Sequence, residues 1–438
     1  MTLADRRGGG AGAALRRRLT DIGPEGLGGR AGWAGVVEIL QLISSALVFF
    51  VLARLMTQAD VGVMGAVLGV AVPVASLSSL GSHVLLIKRV AQGGSVTDAW
   101  QRATSVGVIG PSLGAAVAIA LRPVILPSVD GWVYALLMLS QVSLFWLTEL
   151  AVYLGNGTRR LKDAAQIRFL VVSCRLLALA IFALLGDGQL LGWAIASFAS
   201  FGIGAALALG YVWRVFGAPP SLRRWSRTEV HEGLPFSVNS VSESLVDVSD
   251  KPLLVRYDHA ADAGIYTVGA RIIQFGYLPI RVLLRASDAD LFEAGRNGTA
   301  SALAVTRSLL KPGIAVGALV GAGFMVLAPV VPLVAGPEYV DAVSTVRLLA
   351  VLPLIRAVQY LMGNCLSASD HQWWRVGATL VGAGLNFGLN VRLLPTGTWR
   401  TAVFTTIVSE IALTALLTAI VLGWVWREGA PGRHTTGA

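Results

Sequence analysis

Asn239, Glu243, Asp247 and Asp250 recur at spacings of four, four and three, which lines four polar groups along one stripe of a helix. Lys251 follows at once, and Ser237, Ser240, Ser242 and Ser244 add hydroxyls, so this face is not meant for lipid. An ionisable residue at a bilayer centre costs about 2.5 to 3.5 kcal/mol on insertion scales, so such residues turn toward a cavity or another helix. Two chemistries fit the stripe. One is the wall of an aqueous cavity, with a carboxylate that binds a coupling cation; the other is structural ion pairing of Asp247 or Asp250 with Lys251 or a neighbouring helix. The same pair of readings applies to Glu38, Gln41, Glu149, Arg175, Arg271, Gln274, Arg356, Asn386, Asn390 and Glu410, all set in apolar runs. Glu38 with Gln41 and Arg271 with Gln274 are i,i+3 pairs, and Asn386 with Asn390 is an i,i+4 pair, so each presents one polar face. The cations carry the most definite chemistry: the guanidinium forks of Arg175, Arg271, Arg54 and Arg256 would clamp a diphosphate bidentately in a low-dielectric cavity.

The elements that must position these groups follow from composition. The 438 residues are 55% apolar and only 14% charged, with mean hydropathy +0.68, outside the range of soluble chains. A spanning helix needs about 20 apolar residues, and twelve windows qualify. The first six are residues 33–55, 62–87, 103–121, 131–154, 169–185 and 190–213; the second six are 232–255, 264–284, 309–334, 343–366, 373–394 and 401–424. With the N-terminus inside, 25 Lys and Arg fall on the inner side and seven on the outer, which is the positive-inside pattern of a cytoplasmic-membrane protein with both termini in the cytoplasm. The net charge of +10 is thus spread over short connectors, with no basic patch of the kind that binds nucleic acid.

At an offset of 202 residues Arg54, Ala59, Asp60 and Gly62 fall on Arg256, Ala261, Asp262 and Gly264. Both copies sit at an outward helix end, six helices apart, as in parallel transporter repeats. The expected organisation is an all-α integral membrane protein of about twelve helices in two pseudo-symmetric six-helix lobes around a central cavity. Residues 1–30 read as a disordered basic cytoplasmic tail, whose Arg6, Arg7, Arg16, Arg17 and Arg18 are candidates for anionic lipid; no secretory signal is recognisable in them. Residues 31–216 form the first lobe, 217–230 a cytoplasmic linker, 231–426 the second lobe and 427–438 a second tail. Cys174 and Cys365 stand apart from one another and from any ligand-spaced His, so no disulfide, metal site or cofactor is expected. There is no Gly-Lys pair and hence no P-loop, nor any G-x-S-x-G, H-E-x-x-H or C-x-x-C.

Ordered motifs along the chain carry a family resemblance. Leu52-Ala53-Arg54-Leu55 leads to Ala59-Asp60-x-Gly62, then come Lys88-Arg89, Gly233-Leu234-Pro235-Phe236, Asp250-Lys251 and Gly264-Ile265-Tyr266. Gly336-Pro337-Glu338-Tyr339, Arg347-Leu348-Leu349-Ala350 and Leu385-Asn386-x3-Asn390-x2-Leu393-Leu394-Pro395 follow. Together they resemble the polysaccharide (O-antigen) flippase family of the multidrug/oligosaccharidyl-lipid/polysaccharide exporter superfamily. The chain departs from that family at Ala286-Ser287-Asp288-Ala289-Asp290 and at Trp399-Arg400, both at interfacial helix ends. The resemblance implies a non-enzymatic transporter that moves a polyprenyl-diphosphate-linked oligosaccharide to the outer leaflet by alternating access, with Arg54 the best match to a diphosphate-binding arginine. Membrane lipids, glycosyltransferases and a glycan polymerase are the partners it implies. A cation-coupled exporter of small amphiphiles, from the multidrug branch, is the rival reading; a membrane glycosyltransferase is disfavoured by short outer loops.

Overall fold

The structure, a computed structural model, describes residues 27–186, 188–222 and 227–429. The expected basic tail lies outside the described residues up to 26, as do Arg223 and Arg224 of the linker and residues 430–438 of the second tail. Residues 27–30 are helical, so the first helix starts earlier than hydropathy alone suggests.

Among the described residues all regular structure is helical, joined by turns, without a strand. The first part of the chain forms α1 (Leu27–Leu55), α2 (Gln58–Ser78), α3 (Ser82–Ala91), α4 (Val96–Ala120), α5 (Arg122–Ile125), α6 (Gly131–Met138), α7 (Phe145–Gly157), α8 (Leu161–Leu185) and α9 (Leu190–Phe216). The second part forms α10 (Arg227–Val248), α11 (Asp250–Arg256), α12 (Ala260–Phe275), α13 (Tyr277–Gly295), α14 (Thr299–Leu327), α15 (Val331–Ala335), α16 (Val340–Leu349), α17 (Leu352–Ala368), α18 (Gln372–Leu393) and α19 (Trp399–Gly429). Helix starts are set by local chemistry: the side chains of Thr57, Ser95 and Asp130 accept from the backbone N–H groups of Asp60, Asp98, and Trp132 with Val133, donors that a helix start would otherwise leave unpaired.

Among the described residues eight helical stretches are long and apolar enough to cross a membrane: Val37–Leu55, Gln58–Ser78, Val96–Ala120, Gly131–Gly157, Leu161–Leu185, Leu190–Phe216, Thr299–Ala335 and Trp399–Glu428. Their outer surfaces carry fully presented Leu184, Leu185, Leu319, Val326 and Trp132, an apolar exterior suited to acyl chains and not to water. The remaining four sequence windows coincide with α10–α11, α12–α13, α16–α17 and α18, which are helical but too polar or too broken to meet the same measure. Those four carry Asp247, Arg271, Arg356 and Asn386. The protein is a multi-pass membrane bundle whose polar groups concentrate in the second half.

The 202-residue repeat has a direct structural meaning. Gln58 corresponds to Ala260 and Gly62 to Gly264, and the start of α2 crosses the start of α12 through these four residues. A Cβ on Gly62 would lie 1.9 Å from the Ala260 carbonyl oxygen, and one on Gly264 would lie 2.0 Å from that of Gln58. The two contacts are reciprocal, and only glycine permits them. Arg54 Nε donates to the Val334 carbonyl at 2.9 Å, Nη2 to Leu333, and Gln58 Nε2 to the Glu338 carbonyl, joining α1 and α2 to the segment 333–338 at this end of the bundle. At the opposite end Arg89 and Arg102 meet Glu229 at 3.1 and 3.0 Å and Lys88 approaches Glu232 at 4.0 Å, tying α3 and α4 to α10. The halves are not equivalent between these ends. Helix α2 packs extensively along α10, whereas the pair that corresponds at the 202-residue offset, α1 and α12, meets through the Arg271–Ser45 bond and the Phe50–Phe275 rings, 6.5 Å apart.

Candidate functional site

A cavity of about 540 Å³ lies between the two halves, below the Gly62–Gly264 crossing. Its lining starts at Leu52 and Met64 and runs to Gln41 and Arg281, with Arg175, Lys251 and Arg271 between. Arg175 comes from α8, and its guanidinium carbon stands 5.3 Å over the Phe201 ring. Arg271 comes from α12; it donates to Ser45 and, at 3.3 Å, to Gln274, and its guanidinium lies 5.8 Å from both Phe49 and Phe275. Among the described residues neither arginine has a carboxylate within ion-pair distance, and the Nε of each is buried without a hydrogen-bond partner. Aromatic faces return roughly 0.5–2 kcal/mol to a cation, less than its dehydration takes, so the two groups leave this cavity with uncompensated positive charge.

The other buried arginines share an unpartnered Nε but, unlike these two, are neutralised by carboxylates. Arg168, 5% exposed, binds both carboxylate oxygens of Glu149 and donates at 3.1 Å to Gln41, joining α8, α7 and α1. Arg356 reaches Asp247 and Glu410 through one nitrogen, and Gln359 donates to the second oxygen of Glu410 at 2.7 Å. Asp250 accepts from Tyr266 and, at 3.2 Å, from Thr406. Ser249 and Asn390 each donate to Asn386 at 2.9 Å, and Thr405 donates to Asn390 at 2.6 Å. Lys251 Nζ donates to the Asp247 carbonyl at 3.1 Å and stands 3.9 Å from Asp250.

These positions sort the residues that the sequence singled out. Gln41, Arg175, Asp247, Lys251 and Arg271 do line the central cavity. Arg54 does not: it is exposed at the end of α1 and bonded to the carbonyls of Leu333 and Val334, and Arg256 lies exposed at the matching end of α11. Glu38 is exposed and lines neither this cavity nor the one beside it. The polar stripe of α10 is divided, because the helix is interrupted at Ser249. Glu243 accepts from Arg375 at 3.1 Å and lines a second cavity, of about 360 Å³, to which Asp247 and Arg281 also contribute; Asn239 donates to Glu243 at 3.5 Å but lines neither cavity. Asp250, past the interruption, is turned into α12 and α19 instead. Glu149, Asn386 and Asn390 are interhelical ties.

Two residues of the central cavity are not singled out in the sequence, Arg281 and Gln141. Arg281 lies near the end of the apolar window 264–284 and counts there only among the inner-side cations. Gln141 lines the central cavity from a π-helical segment, Leu139–Leu144, between α6 and α7; the wider turn re-aims one side chain, as such segments commonly do at functional sites.

The fold is that of the MOP superfamily of transporters. It is similar to an inward-facing multidrug resistance MATE family transporter of that superfamily, with TM-score 0.71 at 14% identity over 89% of this chain and 96% of that one. The outward-facing conformation of such a transporter scores 0.59 at 15% identity over 89% and 94%. A MOP superfamily transporter from Pyrococcus furiosus, described by a reverse polarity of its binding pocket, scores 0.60 at 15% identity over 89% and 94%. No curated protein sequence matched the chain. Residues 29–281 match the family model described as polysaccharide biosynthesis protein, and the chain belongs to that family.

Proposed function

We propose that the protein is a flippase that carries a polyprenyl-diphosphate-linked oligosaccharide across the cytoplasmic membrane by alternating access, for synthesis of a surface polysaccharide. The observation that carries this reading is the pair Arg175 and Arg271, one from each half, facing one cavity without a carboxylate partner. A diphosphate satisfies both at once, and a cavity formed between halves can change the side to which it opens. The side-chain-only approach of α1 to α12 gives an acyl chain a route by which to remain in the bilayer while the headgroup is enclosed. In this reading the protein consists of two six-helix lobes, both termini are cytoplasmic, and the Gly62–Gly264 crossing is the closed outer gate. Glycosyltransferases and a polymerase acting on the same lipid-linked glycan are the expected partners.

Proteoliposomes test the reading. A polyprenyl-diphosphate glycan loaded in the inner leaflet becomes accessible to an impermeant glycosidase faster with the protein than in empty vesicles; equal rates remove the proposal. The fold likeness to multidrug resistance transporters favours one rival, a cation-coupled exporter of amphiphiles. It requires drug resistance on overexpression that disappears in Asp247→Asn.

A further inference from the structure

The two cavities meet at Asp247 and Arg281, which line both, but their electrostatics differ. Arg175, Lys251, Arg271 and Arg281 on the central one are set against the single carboxylate of Asp247. On the side cavity Glu243, Asp247 and Asp288 balance Arg281, Arg356 and Arg375. An anion entering the first meets net positive charge; entering the second it meets three carboxylates, so the side cavity selects against a second anion.

What the side cavity offers is directional hydrogen bonding. Arg375 donates to Asn364 at 3.2 Å, to Ser367 at 3.1 Å and to Glu243 at 3.1 Å, which fixes the three groups in place. The Asn364 amide donors remain open, as does the second oxygen of Glu243. Asp288 is half-buried and has no ion-pair or hydrogen-bond partner among the described residues. Tyr360 lines the same space, with Arg356 3.4 Å from its hydroxyl. Pre-positioned carboxylate and amide groups beside an aromatic ring suit a neutral polyol, whose vicinal hydroxyls both donate and accept.

We propose that the side cavity is the sugar-binding subsite of the translocated lipid and that the central cavity holds its diphosphate. This rests on the flippase reading and adds a division of labour to it. The shared wall at Asp247 and Arg281 lies where the anionic linker gives way to the first uncharged sugar. A site built to hydrogen-bond hydroxyls discriminates against a ligand lacking them.

The test uses full-length protein in nanodiscs and two kinds of probe: a C20 prenyl diphosphate, and the same lipid bearing one neutral hexose or N-acetylhexosamine. Wild type is expected to bind at least one sugar-bearing lipid about tenfold more tightly than the bare one, the scale of one or two net hydrogen bonds. Asp288→Asn breaks no observed contact, and Asn364→Ala removes the open donor. Each should bring that ratio to about one and leave the Kd of bare lipid within about twofold, whereas Arg271→Gln should weaken both lipids equally. A ratio that survives in both side-cavity variants overturns the subsite, as does wild-type binding of every sugar-bearing lipid no tighter than bare diphosphate. Failure of both kinds of lipid to bind would remove the flippase reading itself.

Discussion

Replacing Gly62 with alanine sets a methyl group 1.9 Å from the Ala260 carbonyl oxygen and 2.8 Å from the Gly264 nitrogen. Carbon and carbonyl oxygen settle at about 3.3 Å or more, so the starts of α2 and α12 must separate by about 1.4 Å. Overpacking of this kind costs about 1–3 kcal/mol. The penalty falls on the conformation in which the crossing is closed and not on one in which the halves have parted, so it shifts that equilibrium by about 5- to 150-fold. A cysteine at Ser45, on the cavity wall beside Arg271, reports the shift in cells or oriented vesicles. Its labelling by an impermeant thiol reagent from the Arg54 side should rise in Gly62→Ala and fall from the opposite side. By the repeat, Gly264→Ala should do the same, since its methyl group would lie 2.0 Å from the Gln58 oxygen. Because the two positions share one crossing, their effects should not add. Unchanged labelling from both sides, in a variant that folds, would refute the assignment of this crossing as a gate.

Other consequences are testable in the same protein. Arg356→Met leaves Glu410, fully buried, without its cation and should lower stability in detergent by about 3–5 kcal/mol, whereas Arg356→Met with Glu410→Met should recover most of it; thermal unfolding measures both. Asn386→Leu strands Ser249 and Asn390 and should cost about 1–3 kcal/mol in the same assay, with translocation per folded molecule unchanged. Glu229→Gln weakens the contacts of Arg89 and Arg102 that join α3 and α4 to α10 and should favour opening at that end, read as faster labelling of a cysteine there. After Cys174 and Cys365 are replaced by alanine, cysteines at Asp247 and Arg271 should react with soluble reagents from one face, because both line the central cavity.

Hydropathy identified the spanning helices wherever lipid contact dominates, as in Leu161–Leu185 and Thr299–Ala335. It is weakest in α10–α13 and α16–α18, where the helices serve one another: Asp247, Arg356 and Glu410 satisfy each other, and a segment that buries charge against charge has no need to be apolar. The repeat around Gly62 and Gly264 was legible as four identities, but its meaning was not, because a glycine marks close approach without naming the partner. Charge alone could not tell free arginines from paired ones. Arg168 and Arg175 sit on one face of α8, yet Glu149 on another helix neutralises only the first. Arg54 was hard to place for a similar reason: a motif at a helix end does not name its partners, the carbonyls of Leu333 and Val334, which lie about 280 residues away.

The most direct measurement is the rate at which a polyprenyl-diphosphate glycan changes leaflets in proteoliposomes holding wild type, Arg175→Gln, Arg271→Gln or both. A hydrogen bond to a charged group is worth about 1.5–3 kcal/mol, so each single variant should be slower by about 10- to 150-fold and the double variant should match empty vesicles. Rates within about twofold of wild type in the folded double variant would contradict a diphosphate site between the halves.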